Sequence, residues 1–412
     1  MAAVTVDLQD RGDPRERAFG IFQLLLAAVT LAFFTGTAGT ATFTLNGRNP
    51  VVEVPPLTLP VVPTVVTIGV ALAALGLLQA TRGTRGRAVG TLAVGALLFV
   101  LAFLTWAAAD GSLNLVELFR VAVRQAVPLT LGALCGAMCE RAGVINIAIE
   151  GQLLIGALAA VVFSAIGGPV LGLAAAIIAS LLLGSILGWL SVKFHADQII
   201  VGVVLIVFAS GLTAFIVKLL PAELNASDRF GGLSIPLLAD IPLVGPVLFG
   251  QGIMVYSMFA AVALVWWILF RTRWGLRIRA VGEHPEAADS VGINVHRVRL
   301  QAVLFGSVLA GIGGAYFTLD SAGQFTRDMS AGKGFIALAA LLVGRYHPVG
   351  ALGAALVFGF ADALATGLGL LSVPIPAGVL RTAPYVVTLF VVAGVVGRIR
   401  VPAADGQPYI KD

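Results

Sequence analysis

Apolar runs of about 20 residues recur along this chain and limit what it can fold into. A helix of about 20 residues spans the hydrocarbon core of a bilayer while pairing its own backbone polar groups. Ten runs have this character and lie at about 20–37, 61–80, 89–109, 148–167, 169–191, 196–218, 252–270, 301–318, 350–370 and 379–397. We therefore predict an all-α polytopic membrane protein.

The composition excludes a soluble protein. Charged residues make up only 11% of the chain, against roughly 25% in an ordinary soluble domain. Hydrophobic residues make up 58% of it, so too few polar side chains remain to cover the apolar surface in water. A soluble enzyme, a nucleic-acid-binding module and a disordered scaffold are thereby excluded.

Two further apolar runs, at about 128–140 and 334–345, are short for a membrane crossing. They fit short or broken helices, or re-entrant segments buried in protein. Arg120 and Arg124, which precede the first short run, are counted with an outer segment. The expected bundle therefore has about 10 to 12 transmembrane helices.

Lys and Arg residues predict the orientation, because short loops rich in positive charge stay on the cytosolic side. With the N-terminus inside and twelve crossings, 18 of these residues lie in inner segments and 8 in outer segments. We expect cytosolic tails at 1–18 and 401–412, a two-helix extension at 19–88 and a transmembrane core at 89–400. The chain would thus lie in the cell membrane with both termini cytosolic.

A polar loop at 271–300, on the predicted inner side, contains a candidate for a short helix. Pro285 suits a first helical turn because it has no N–H to leave unpaired, and the helix dipole favours the Glu286 carboxylate beside it. Gly292 can end such a helix in a left-handed conformation. The predicted helix of about two turns could dock on a cytosolic partner. A solvated loop with a chance helical turn is the alternative.

The same loop resembles a known family. Glu286-Ala-Ala-Asp-Ser-Val-Gly292 is similar to the EAA-xxx-G pattern of the coupling loop in ABC import permeases. The wider loop resembles the branch that serves ribose-type sugars, branched-chain amino acids and nucleosides, through Gly275, Arg279, Ala280, Gly282, Ala287, Ala288, Gly292 and Ile293. The resemblance implies a cytosolic coupling helix that contacts an ATPase, with coupling residues Arg279, Gly282, Glu286, Ala287, Ala288 and Gly292.

A second segment, Glu140-Arg-Ala-Gly-Val-Ile-Asn-Ile-Ala-Ile-Glu-Gly-Gln-Leu-Leu-Ile-Gly156, resembles the E-R-x-G-x-x-N-I-x-x-E-G segment of the same family. With Asn146, Glu150 and Gln152 in place, it looks most like the nucleoside permeases. The resemblance covers about residues 115–400. It implies a permease subunit that moves nucleosides across the cytoplasmic membrane, and it adds Gln152 to the candidate path residues.

The implied machine has several subunits. The sequence holds no G-x-x-x-x-G-K-[ST] phosphate cradle, and its nearest string, Gly332-Lys-Gly334, lacks the hydroxyl that would bind magnesium. ATP is therefore expected on a separate ATPase, so that this chain is no enzyme and needs no cofactor. A second permease, identical or related, and an extracytoplasmic substrate-binding lipoprotein are the other expected partners besides the lipid bilayer, with no nucleic acid.

Polar residues within the apolar runs are candidates for the translocation path, since each is costly in lipid unless paired or functional. Asn146 and Glu150 are four residues apart, which would place them on one helix face, either as a structural pair or lining the inner path. Asp362 lies mid-helix, where Arg381 could pair with it or a path role could explain it. Gln198, beside Asp197, is a similar candidate.

Other chemistries find little support. The four histidines have no metal-ligand spacing, and Cys135 with Cys139 lacks a third ligand, so we expect no metal site. The nearest alternative function is the same machine for a simple sugar or a branched-chain amino acid. A secondary transporter that needs no ATPase is a less favoured hypothesis, and a membrane-embedded enzyme lacks a catalytic set.

Overall fold

The computed structural model describes residues 14–47, 53–84, 88–226, 228–369, 382 and 400–410. The helices in this part are α1 (Pro14–Phe33), α2 (Val61–Arg82), α3 (Ala88–Ala107), α4 (Leu115–Glu140), α5 (Ile149–Gly188), α6 (Gln198–Leu219), α7 (Ile253–Arg271), α8 (Arg273–Glu283), α9 (Pro285–Ser290), α10 (Val295–Tyr316), α11 (Lys333–Val343) and α12 (Pro348–Leu368). Short strands are β1 (Thr40–Thr44), β2 (Leu57–Pro60), β3 (Ser112–Asn114), β4 (Gly232–Ser234) and β5 (Gly250–Gly252).

The predicted all-helical membrane bundle is confirmed. Nine helices of the described ranges are long and apolar enough to cross a bilayer. Large apolar side chains such as Leu182, Val207 and Phe215 are more than half exposed, which suits a surface that faces lipid rather than water. Apart from Thr382, the predicted span at 379–397 lies outside the described residues.

One compact unit comprises the described residues up to Glu117, together with the end of α12 from Gly367. In it α1 packs closely on α2, where Gly20 faces the backbone of Gly76 and Ala80. Strand β1 pairs with β2 antiparallel and with β3 parallel. Hydropathy missed this small sheet because its strands are too short to form apolar runs. The predicted boundary at residue 88 stays a prediction.

The other unit comprises Leu118–Thr366 and the described residues of the C-terminal segment. Its centre is the contact between α5 and α10, where small residues let the two backbones approach. Gly156 faces the backbone of Gly311, and Gly314 faces the Leu153 carbonyl. Within lipid such helices gain no hydrophobic force from association, so close backbone packing supplies the attraction.

Helix α4 is longer than the short apolar run that the sequence predicted at 128–140. It runs without interruption over 26 residues, so the short run 128–140 is only its second half, and Arg120 and Arg124 lie within the helix. Arg120 Nη2 donates to the Gly250 carbonyl at 3.0 Å, and Arg124 Nε donates to Gln251 Oε1 at 3.1 Å. The hydropathy pattern predicted that the run begins after these charges, because a local pattern contains no information about partners that are distant in sequence.

Helix α5 contains the break that separates the predicted spans 148–167 and 169–191. Gly167 and Gly168 leave helical geometry, and Gly168 has a φ of +83°, a conformation that side chains with a Cβ rarely adopt. Pro169 follows and suits the first turn of the second half. The predicted division between these two apolar runs is therefore present as a break in α5, and two separate crossings stay a prediction.

The packing of α5 on α10 predicts the effect of a single methyl group. Gly314→Ala places a Cβ against the Leu153 carbonyl and the Gly156 Cα, so we expect a loss of about 1–3 kcal/mol of stability, as for other overpacked sites. Thermal unfolding of the purified protein in detergent measures it. Gly353→Ala on α12 is the matched control, since no atom lies within 4 Å of its Cβ position. Equal melting temperatures for the two variants would contradict this packing.

Candidate functional site

The carboxylate of Glu150, in the first turn of α5, caps the N-terminus of a different helix. It accepts the backbone N–H of Gly332 at 2.9 Å, that of Gly334 at 2.6 Å and the Ser330 hydroxyl at 2.6 Å. These donors surround the start of α11, where helical N–H groups lack partners within the helix and the dipole favours negative charge. Glu150 therefore joins the beginnings of α5 and α11 through one buried carboxylate.

The expectation that Asn146 and Glu150 share a helix face is wrong. α5 begins only at Ile149, and Asn146 lies in the non-helical segment between α4 and α5. Gly143 in that segment has a φ of +83°, which prevents a regular helix from continuing. Four-residue spacing indicates a shared face only when all the residues between are helical.

Asn146 instead belongs to a fully buried polar network between α4, α5 and α10. Its Nδ2 lies 3.3 Å from Cys135 Sγ, 3.6 Å from Cys139 Sγ and 3.2 Å from Gln152 Oε1. Gln152 Nε2 donates in turn to Ser307 Oγ at 3.0 Å. The two cysteines, which the sequence could place only by their spacing, therefore accept hydrogen bonds from a path candidate.

Gln198, at the start of α6, holds the segment between α4 and α5 by a hydrogen bond to its backbone. Its Oε1 accepts the Ile145 N–H at 2.7 Å. Asp197 is the N-cap of α6 and accepts the N–H groups of Ile199 and Ile200. We call residues 141–147 the hinge segment. Its own Asn146 side chain anchors it to α4 and α5, and Gln198 anchors it from α6.

The hinge segment folds back into the bundle, so α5 starts well inside it. Gly132 and Gly136 on α4 both face Ile149, at the start of α5. They also face Ala337 and Leu341 on α11, so α4 and α11 run side by side in the same direction. At 1.5 Å per residue, the start of α5 lies roughly 6–12 Å from the end of α4 along its axis.

Asp362 pairs with Lys333, a residue that the sequence analysis missed as a candidate. Lys333 Nζ lies 2.8 Å from Asp362 Oδ2 and donates to Gln125 Oε1 at 2.7 Å. The two charged side chains are 14% and 27% exposed, so the pair is not sealed inside protein. Arg381, the expected partner, lies outside the described residues. A lysine at the start of a short apolar run was the available signal.

The predicted short helix of the polar loop is present as α9. Pro285 opens it, and Gly292 follows with a φ of +83° and a bond from its N–H to the Asp289 carbonyl at 2.8 Å. Glu286 and Ala287 are exposed, whereas Ala288 is buried. One face of α9 is therefore free of packing within the described chain.

Arg279 and Gly282, on α8, point toward the chain's own core. A Cβ on Gly282 would meet the Arg141 carbonyl, so glycine is needed where α8 touches the hinge segment. The Arg279 guanidinium lies over the Phe270 ring at 5.3 Å. Both positions therefore contact the chain's own residues, Gly282 at the hinge segment and Arg279 at Phe270.

Arg141 connects the hinge segment to the turn after α11. Its Nε and Nη2 both donate to the Tyr346 carbonyl at 3.2 Å. Burial lowers the pKa of Arg141 from its ordinary value, and the Glu283 carboxylate opposes that shift. Contacts therefore run from α8 through the hinge segment to the start of α5 and to the turn that follows α11.

Comparisons with known proteins agree with this architecture. Residues 118–396 match the family described as the branched-chain amino acid transport system permease component. The guanosine ABC transporter permease NupQ of Bacillus subtilis is 42% identical over 69% of this chain and 94% of its own length. The nucleoside ABC transporter permease NupC of Lactococcus lactis is 37% identical over 69% and 93%. The putative glucose ABC transporter permease TsgC13 of Haloferax volcanii is 32% identical over 72% and 98%. The comparison with solved structures gives no match.

The apolar helices define a multi-pass membrane protein, and the similarity to transport permeases places it in the class of membrane transport permeases. The family match covers more than half of the chain and agrees with that class. The chain belongs to the family of branched-chain amino acid transport system permease components.

The Glu150 cap predicts a graded loss of stability. Glu150→Ala leaves buried N–H groups without an acceptor, at about 1–3 kcal/mol each. Glu150→Gln keeps one carbonyl oxygen and should fall between Ala and the unmodified protein. Melting temperatures of the purified protein measure the order, with exposed Glu223→Ala as the control expected to change nothing. A melting temperature for Glu150→Ala equal to that of the control would contradict the cap.

Proposed function

We propose that this chain is the permease subunit of an ABC importer for nucleosides. The observation that supports this most is the similarity to the guanosine and nucleoside permeases over nearly their whole lengths. The glucose permease at 32% identity keeps a simple sugar as the second candidate substrate. A nucleoside and a sugar are both neutral molecules that carry several hydroxyl groups, which suits a path lined with amide, hydroxyl and paired charged side chains.

The ATPase lies on a separate subunit in this proposal, and ATP binds there. Both termini are cytosolic, and α9 lies on the cytosolic side, where its exposed face with Glu286 and Ala287 contacts the ATPase. Ala288 and Gly292 fix the shape of α9, and Arg279 and Gly282 fix its base. ATP binding would close the two ATPase subunits and displace α9.

The translocation path in this proposal runs beside the meeting point of α5 and α11. Glu150 holds that point together, whereas Asn146 and Gln152 link the start of α5 to α4 and α10. Gln198 holds the hinge segment. Asp362, with Lys333, borders the path because a partly exposed charge pair within the bundle is costly against lipid. A second permease would complete the path, and an extracytoplasmic binding lipoprotein would deliver the substrate.

Coupling to the ATPase requires that the two access states differ in their affinity for substrate or for the ATPase. The contacts of the hinge segment support such a difference. Displacement of α8 would reach Arg141 through Gly282, and Arg141 would pass it to the Tyr346 turn.

Radiolabelled uptake in a strain that lacks the gene tests the substrate. We expect guanosine or cytidine uptake to fall to background, to return with the intact gene and to be lost again when the ATPase gene is deleted. Uptake of a labelled sugar instead of a nucleoside would show that the importer carries a simple sugar, the second candidate substrate. Normal nucleoside uptake without the gene would contradict the proposal. Uptake that survives ATPase loss but stops with an uncoupler would indicate a secondary transporter.

A further inference from the structure

The C-terminal segment, predicted only as a cytosolic tail, lies packed against the base of the bundle. We call residues 402–409 the strap. The Ala404 N–H donates to the Gly282 carbonyl at 2.9 Å, and the Ala403 N–H lies 3.4 Å from Glu283 Oε2. These contacts fall on the last residues of α8, immediately before α9. The strap therefore touches the chain at the base of the coupling helix.

Further along, the strap is bound to two other elements. Arg299 on α10 is buried, and its Nη1 donates to the Gln407 carbonyl at 2.8 Å. His195, in the turn after α5, places Nε2 3.0 Å from the Tyr409 carbonyl. The Tyr409 ring lies 5.6 Å from that of His296 on α10. One short peptide thus bonds to the end of α8, to α10 and to the turn that follows α5.

The hinge segment is enclosed between α8 and the strap. A Cβ on Gly143 would meet both the Ala404 carbonyl and Arg299 Nη2, and Gly406 faces Ile145 with a φ of +74°. The hinge segment consequently has α8 on one side and the strap on another. The end of α8, at the base of α9, therefore contacts the hinge segment directly through Gly282 and indirectly through the strap.

Charge adds to the attachment at Arg299. Its Nε and Nη2 have no hydrogen-bond partner among the described residues, and neither has Asp405 Oδ1. Burial raises the pKa of Asp405 to about 7, while Arg299 opposes that shift electrostatically. The Glu140 carboxyl group repels that of Asp405, so Arg299 is the group that attracts Asp405. Arg299 therefore combines a direct bond to the strap with electrostatic attraction to the half-buried Asp405 carboxyl group.

We propose that the strap is a mechanical link that transmits displacement of α9 to the hinge segment and α10, with Arg299 as its positioning residue. This inference rests on the proposed function, because it assigns a role within ATP-coupled transport. Without the strap, α9 would still bind the ATPase, but its movement would be passed only in part to the path. ATP would then be hydrolysed with little import.

The test uses the assembled importer in proteoliposomes and measures substrate imported per ATP hydrolysed. Arg299→Met, and a chain ending at Arg400, should keep ATPase activity within about twofold while import per ATP falls about tenfold, a coupling loss of ordinary allosteric size. Arg299→Lys keeps a donor for the Gln407 carbonyl and should recover part of the import. Exposed Arg297→Met, on the same helix, is the matched control and should not change the ratio.

Unchanged import per ATP in Arg299→Met would overturn the link. If the chain that ends at Arg400 fails to insert into the membrane, the comparison of Arg299→Met with Arg297→Met tests the link without it. Hydrogen exchange on the complex keeps this test separate from the proposed function, because it needs no transported substrate. The link predicts faster exchange at 141–147 and 285–294 in Arg299→Met than in Arg297→Met, and equal exchange would also overturn it.

Discussion

The buried carboxylate of Glu150 is the interaction on which the second unit depends. Two helices begin against other parts of the bundle, and the unpaired N–H groups of a first turn need acceptors there. The start of α11 meets this requirement with a side chain from α5. The same bonds hold the short helix α11 parallel to α4 and place Lys333 next to Asp362. A membrane protein can contain interrupted helices only where such partners exist.

The hinge segment links that interaction to the polar surface of the chain. On one side its backbone is bonded to Gln198, and its Asn146 side chain is bonded to Gln152, which donates in turn to Ser307. On the other side it touches α8 at Gly282, next to α9. The glycines there act by allowing backbones to meet. Gly282 therefore faces the chain's own interior, although it belongs to the loop that resembles the partner-binding coupling loop of ABC import permeases.

Much of the fold could be predicted from the sequence, because lipid enforces long apolar helices and their lengths appear directly as runs. The Gly167–Gly168 break and the left-handed Gly292 were also predictable, since local chemistry decides both. The first half of α4 was not, because Arg120 and Arg124 bond to partners more than 100 residues away. Likewise Asn146 was misplaced because the hinge segment, held by Gln198 and Cys135, overrides the helical spacing.

The central claim is that α9 presents Glu286 and Ala287 to a cytosolic ATPase, and site-directed crosslinking tests it most directly. The two native cysteines are buried, so Ala287→Cys introduces one accessible thiol within the described part of the chain. The account predicts a crosslink to the ATPase subunit in inverted membrane vesicles and protection of the thiol from an impermeant maleimide added outside intact cells. Labelling from outside, or no crosslink in an assembled and active complex, would contradict it.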